Sequence, residues 1–408
     1  MTEPTMTEPT GWKPGALDDV LEHVDVRNKD KAIKMVLSVT EGRGIVPQSE
    51  VFNKRVATED TSKYKVLQPF DIAWNPYLLW TGAIGQWLRD SAGVTSPVYP
   101  VFRVREGQDS RFWGMVLEGG VLTPYFDSRA IGSIARRRRT TIPVFKEAPI
   151  FIPPRPTQER VVKIVGAVDD EIAALESEAG TARRLLNSVL TEHFATVTGT
   201  PHRIVDLCSH VIGGVWGKPE GEGEVDRLAL GPRIYAPGTA DFVTDGSPVR
   251  SFTTKQADTR TVQEQDIILE RSGGSPEQPV GRVAIAGPGL APCVPTDFQR
   301  LLRVAPERAL PKYVFWRLRH DWVCGLTRNY SRRTTGITNL SVKEYIAREM
   351  PVPSPEEQAA LVERAAAVDA LVITLRAEAA SLRQVRTGLL SGLLDRTITI
   401  ESAEPGVA

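Results

Sequence analysis

The chain has 408 residues, room for two or three domains, and its 41% hydrophobic and 25% charged residues are the composition of an ordinary folded protein and not of a disordered one. Fifty Lys and Arg balance fifty Asp and Glu, so no global field draws the chain to a polyanion, and any such binding must come from local clustering. The cysteines, Cys208, Cys293 and Cys324, lack metal-ligand spacing, and no run approaches roughly 18 apolar residues; metal sites and a membrane span are set aside, and a reducing cytoplasm is expected.

In chain order, residues 1–15 carry a doubled Met-Thr-Glu-Pro-Thr and read as a disordered leader without a signal-peptide layout. Residues 16–152 form a first globular domain and 153–197 a long helix. Residues 198–352 form a second domain, 353–397 a second long helix, and 398–408 a tail. Within the domains, β-rich runs at 33–39, 99–104, 266–269, 282–285 and 301–304 sit among Gly/Pro turns, and a helix is predicted over 311–323. The fold class is therefore α+β, two mixed domains each followed by a long helix. Ser354-Pro355-Glu356-Glu357 supplies an N-cap, an N1 proline and a glutamate able to close a capping box. Arg155-Pro156-Thr157-Gln158-Glu159 is a less regular version.

The two helices are copies of one another. At a constant offset of 200, residues 153–190 and 353–390 are identical at eleven of 38 positions, among them Gln158/Gln358, Val168/Val368, Asp169/Asp369 and Leu175/Leu375. Apolar residues step by four and three in both: Val161, Val165, Val168, Ile172, Leu175, Ala179, Ala182, Leu186 and Val189 in the first. The second runs through Leu361, Ala365, Val368, Val372, Leu375, Ala379 and Leu382, breaks at Arg386, and resumes at Leu389 and Leu393. Such a narrow seam cannot bury itself on one helix, so the two copies are expected to pair as a rod on the order of 60 Å long.

The domains echo each other more faintly. Phe70-Asp71-Ile72 answers Gln265-Asp266-Ile267, Gly93-Val94-Thr95 answers Gly289-Leu290-Ala291, and Arg103-Val104 answers Arg303-Val304. Arg138-Arg139-Thr140-Thr141 recurs as Arg332-Arg333-Thr334-Thr335 at offset 194, leaving six extra residues before the second helix. Two copies that keep the rod and change the head suit one rod doing the same job twice while each head reads a different object.

This layout resembles the specificity subunit of type I restriction-modification enzymes over nearly the whole chain. Pro353-Ser354-Pro355-Glu356-Glu357-Gln358 leading to Asp369 matches that family's helix signature, from which Thr157-Gln158-Glu159 departs. Leu37-Ser38-Val39-Thr40 with Gly44-Ile45-Val46-Pro47-Gln48, Tyr64-Lys65-Val66, Asn75-Pro76, Gly82-Ala83-Ile84-Gly85 and Ser96-Pro97-Val98-Tyr99 is similar to one class of its recognition domains. The resemblance implies two target-recognition domains and an antiparallel coiled coil that fixes the gap between two half-sites in double-stranded DNA. It implies no catalysis and no cofactor in this chain. The partners it implies are two methyltransferase subunits and restriction/translocase subunits, with no membrane.

Duplex DNA demands cations at phosphate spacing and planar donors for base edges. The densest basic run is Arg136, Arg137, Arg138 and Arg139; its counterpart is Arg328, Asn329, Tyr330, Arg332 and Arg333. Both precede a helix, and Arg138 and Arg332 are each expected to supply a phosphate contact. The expected coiled-coil interface is Val161, Val165, Val168, Ile172, Leu175, Leu186, Leu361, Val368, Val372, Leu375, Leu382 and Leu389. Asn75-Pro76-Tyr77 lacks the second proline of an adenine-holding motif, and Ser272-Gly273-Gly274-Ser275 lacks the lysine of a phosphate loop. The five histidines are scattered and read as structural. The competing reading is a coiled-coil scaffold that binds only proteins, its basic loops solvated.

Overall fold

The computed structural model describes residues 11–51, 57–132, 138–235, 242–274, 278–334, 337–394 and 397–398. Each domain is built on a four-stranded antiparallel sheet, and the strand order is the same in both. In the first domain Leu21–Val24 pairs with Val101–Val104, which pairs with Ile72–Trp74 and then Ile84–Gln86. In the second the order is Cys208–Gly213, Gln299–Val304, Ile267–Glu270, Val283–Ile285. Central strands such as Ile267–Glu270 are buried along their whole length, which is why they read as short continuous apolar runs and not as alternation. The expected run at 33–39 materialises as Leu37–Thr40, paired with Gly44–Pro47, and the predicted helix as Pro311–Val323.

Faint sequence echoes mark shared structural devices. Arg103 Nε and Nη2 donate to the two oxygens of Asp71 at 2.8 and 3.0 Å, and Arg303 Nε and Nη2 do the same to Asp266 at 2.8 and 2.7 Å. Both aspartates are 1% exposed, and each also accepts the backbone N–H three residues earlier, from Gln68 and from Gln263. The preceding residues, Phe70 and Gln265, stand at φ +69° and +65°. That conformation is costly for a side chain with a Cβ, and the bonded aspartate fixes the turn that imposes it. The Gly289-Leu290-Ala291 echo is corrected: the strand in that role is Cys293–Pro295, and 289–291 precede it outside any strand.

Each domain opens and closes on a two-stranded ribbon that launches its helix. Lys13–Ala16 pairs with Pro149–Ile152, and Thr200–Arg203 with Glu349–Val352. The strand Lys13–Ala16 thus starts inside the segment assigned by sequence to the leader. The long helices run Arg155–Thr196 and Pro355–Leu394. Ser354 and Glu357 form the expected capping box, with Ser354 Oγ accepting from the Glu357 N–H at 3.3 Å and Glu357 Oε2 from the Ser354 N–H at 3.2 Å.

The identical glutamines of the repeat do identical work. Gln158 Nε2 donates to the Pro153 carbonyl at 2.8 Å while its Oε1 accepts from the Asp109 N–H at 2.7 Å; Gln358 bonds Pro353 and Leu310 at 2.9 and 2.8 Å. Both are nearly fully buried, so each clamps the first turn of a long helix to the start of a domain helix. Losing either would strand a buried N–H, which explains a polar residue at a core position.

By packing, the chain divides into two compact units, each holding one domain and half of each long helix. Residues up to Ala173 join those from Ala380; the second unit is Ala174–Ala379. Within each unit the amino-terminal half of one helix lies with the carboxy-terminal half of the other, so the helices pack antiparallel, as the family resemblance implies. Val161 and Val165 share the first core with Leu390 and Leu393, and Leu186 and Leu190 share the second with Leu361 and Ala365. Of the seam residues, Val161, Val165, Ile172, Leu175, Leu186, Leu361, Val372 and Leu375 are buried, while Val168, Val368, Leu382 and Leu389 are half-buried. Leu190 and Leu390 take the buried places next to Val189 and Leu389.

The break in the seam at Arg386 has a partner. Its guanidinium pairs with Asp169, Nη2 lying 3.1 Å from Oδ2. The duplicate aspartate, Asp369, instead meets Arg319 of the domain helix at 3.6 Å. One copy is answered from the other long helix and the second from its own domain, because Leu186 occupies the position equivalent to Arg386.

Candidate nucleic-acid interface

The described arginines of the two basic runs lie at antiparallel pairings in both domains, but on opposite arms. In the second domain Ser331–Thr334 pairs with Ile337–Leu340, the register placing Ser331 opposite Leu340. In the first, Ile131 bridges Arg139. Each hairpin leads into a short helix, Ile142–Lys146 or Val342–Ile346, whose Phe145 or Tyr345 is fully buried. Equivalence therefore follows the offset of 200, not 194: Arg138 and Arg139 stand on the returning arm, Arg332 and Arg333 on the outgoing one. The equivalent placement expected of the identical tetrapeptides is corrected on this point.

Arg136 and Arg137 lie outside the described residues. Arg138 is engaged: Nη1 meets Asp127 Oδ1 at 2.8 Å, Nη2 donates to the Asp127 carbonyl at 2.5 Å, and the guanidinium stacks 4.4 Å from the Trp80 ring. Arg139 is exposed. In the second domain Arg328, Asn329 and Arg333 are exposed, and Arg332, with 76% of its side chain exposed, reaches Glu344 only at 3.4 Å. Tyr330 is half-buried with its ring 5.5 Å from that of Tyr345, so its phenol ring is held by the core. The second hairpin thus offers exposed arginines where the first holds Arg138 in place.

Other sequence candidates resolve into structure. Asn75 is buried, accepts from the Tyr77 N–H at 3.0 Å and donates to the Tyr99 hydroxyl at 3.0 Å, so Asn75-Pro76-Tyr77 is a locked turn. Among the described residues no three His, Cys, Asp or Glu side chains converge on a metal position. No helix among them is long and apolar enough to cross a membrane.

His320 sits between both element types of the second unit, its Nε2 3.0 Å from Thr191 Oγ1 and 3.2 Å from Cys324 Sγ. Burial, then the charge of Arg317, pulls its pKa down to about 4. The folded chain refuses a proton that the unfolded chain accepts near pH 6.5, so stability is full above that value and is lost as the pH falls toward 4. With solvent screening at a half-buried site the loss is on the order of 1–2 kcal/mol. Urea unfolding of wild type and His320→Gln should diverge between pH 7.5 and pH 4.5, about; parallel curves would rule the effect out.

One feature has no signature in the linear sequence. Strand Val225–Leu230 pairs with Val249–Phe252 so that Arg227 lies directly opposite Arg250. Arg250 stacks 5.1 Å from Trp216, a ring 44% exposed. Only strand register brings these residues together, and register is not readable from composition.

No protein-family model matches the chain, and no curated protein matches it. Solved structures do. A chain from work on complex assembly and conformational transition of the type I restriction-modification system aligns over 95% of this chain and 98% of its own, with a TM-score of 0.55 at 16% identity. The type I restriction-modification S subunit from M. genitalium aligns over 97% and 98%, with a TM-score of 0.55 at 13% identity. The chain has the type I specificity-subunit fold. At such identities the likeness is one of fold.

Proposed function

We propose that the chain is the DNA sequence-specificity subunit of a type I restriction-modification complex. Each domain reads one half of a bipartite duplex target, and the paired helices set the gap between halves. The chain itself carries out no chemistry; two methyltransferase subunits and the restriction/translocase subunits supply it, in the cytoplasm. The observation that carries this reading is the duplication itself: one topology and one helix clamp kept in both copies, with differing surface residues on the two heads. A protein-only scaffold would have no need of two unlike heads presenting basic hairpins.

The test is a salt titration of duplex binding by the complex of this chain with its methyltransferase subunits. Arg332→Ala with Arg333→Ala should weaken binding to every sequence and lower the slope of log K against log salt by about two, close to one per phosphate. Arg138→Ala should change the slope little, since its guanidinium is already neutralised by Asp127. An unchanged slope in the double variant takes the second hairpin off the DNA. Absence of any sequence preference in the wild-type complex returns the scaffold reading.

A further inference from the structure

We propose that Arg227 and Arg250 form a guanine-reading site in the second domain, with Trp216 holding the plane of Arg250; this rests on the DNA-specificity reading above. Side chains directly opposite in an antiparallel pair share one face of the sheet with their Cβ atoms about 5 Å apart, and like charges so placed repel. Among the described residues no carboxylate lies within 4.0 Å of either group. The neighbouring Asp226 is taken up with Ser251 Oγ and the Gly221 N–H.

What holds the two arginines is main chain. Arg227 Nη1 donates to the Asp226 carbonyl at 2.8 Å and Arg250 Nη2 to the Gly217 carbonyl at 3.2 Å, while the Nε of each is buried with no acceptor among the described residues. Gly217 makes this possible: at φ +75° its backbone passes so close to Phe252 that a Cβ would lie 2.7 Å from the ring. Carbonyls and an indole fix the orientation of the guanidiniums but cancel none of their charge. The arrangement is complete only with an external partner rich in acceptors.

DNA offers two such sets, phosphate oxygens and the O6/N7 edge of guanine. A phosphate accepts a cation from many directions, and the exposed Arg332 and Arg333 on their hairpin suit it. A base edge demands a planar fork held at one position, which side chains on a sheet and stacked on an aromatic ring provide. In the first domain the hairpin Leu37–Thr40 with Gly44–Pro47 sets Ser38 opposite Val46 and carries no such pair, so the site belongs to one half-site only.

The experiment uses the complete complex on a library of bipartite duplexes. Arg250→Lys and Arg227→Lys, which keep charge and lose the fork, should each relax discrimination at a guanine of one half-site by about tenfold. Preference in the other half-site and the salt slope should not move. For the wild type, placing 7-deazaguanine at that position should weaken binding to a similar degree, which tests the contact without any variant. Uniform loss on all sequences with a lowered slope would make these phosphate contacts and overturn the proposal, as would unchanged preference in both variants and with the modified base. A wild-type complex with no base preference at all would instead defeat the specificity reading on which the site rests.

Discussion

Asp321→Ala should destabilise the second unit by about 3–5 kcal/mol, because it leaves two buried guanidiniums without their carboxylate. Asp321 is 2% exposed on the helix Pro311–Val323. Arg317 Nε lies 3.1 Å from its Oδ1, Arg348 contacts its Oδ2, and the Tyr345 hydroxyl donates to the same Oδ2 at 3.2 Å. Both arginines are stacked as well, Arg317 on Phe194 at 5.0 Å and Arg348 on Tyr345 at 4.9 Å, so neither can swing into water cheaply. The penalty measures the orphaned charges and not the worth of the bridge, since assembling the trio already cost desolvation. Hydrogen exchange over residues 311–323 reports on this unit alone; protection unchanged from wild type would show that the cluster is solvated in practice.

Leu361→Ala should cost the same unit about 2–5 kcal/mol, the range for deleting a buried leucine side chain and leaving a cavity. Leu361 is 0% exposed in a core that includes Leu186, Tyr313 and Val314. The long helix is therefore part of the domain's core at this end and not a free-standing rod, and its loss should be felt by the sheet. Leu371→Ala, on the same helix but 45% exposed, should change stability by less than about 0.5 kcal/mol. Combining Leu361→Ala with Leu186→Ala should be non-additive, because both open the same core. Urea midpoints for Leu361→Ala and Leu371→Ala that agree with each other would refute this division of the helix.

The helices were legible because periodicity and repetition are local properties. Gln158 and Gln358 stood out as identities, and the structure gives them one job. The aspartate echoes were legible too, although their partners Arg103 and Arg303 are found only across strands. The tetrapeptide match misled: identity at offset 194 put Arg138 and Arg332 on equivalent positions, whereas hairpin register puts them on opposite arms. Only packing shows that Arg138 meets Asp127 and Trp80. The pair Arg227 and Arg250 left no trace in the sequence at all.

By itself, then, the sequence determined that there are two domains, two long helices with an apolar seam, and a duplication relating them. Those follow from composition and from spacing along one chain, which side-chain periodicity converts directly into faces. Tertiary structure decided which charges are free. A guanidinium is the same in sequence whether a carboxylate, a carbonyl or solvent faces it, and which of these it meets is set by strand register and helix packing between residues far apart in the chain.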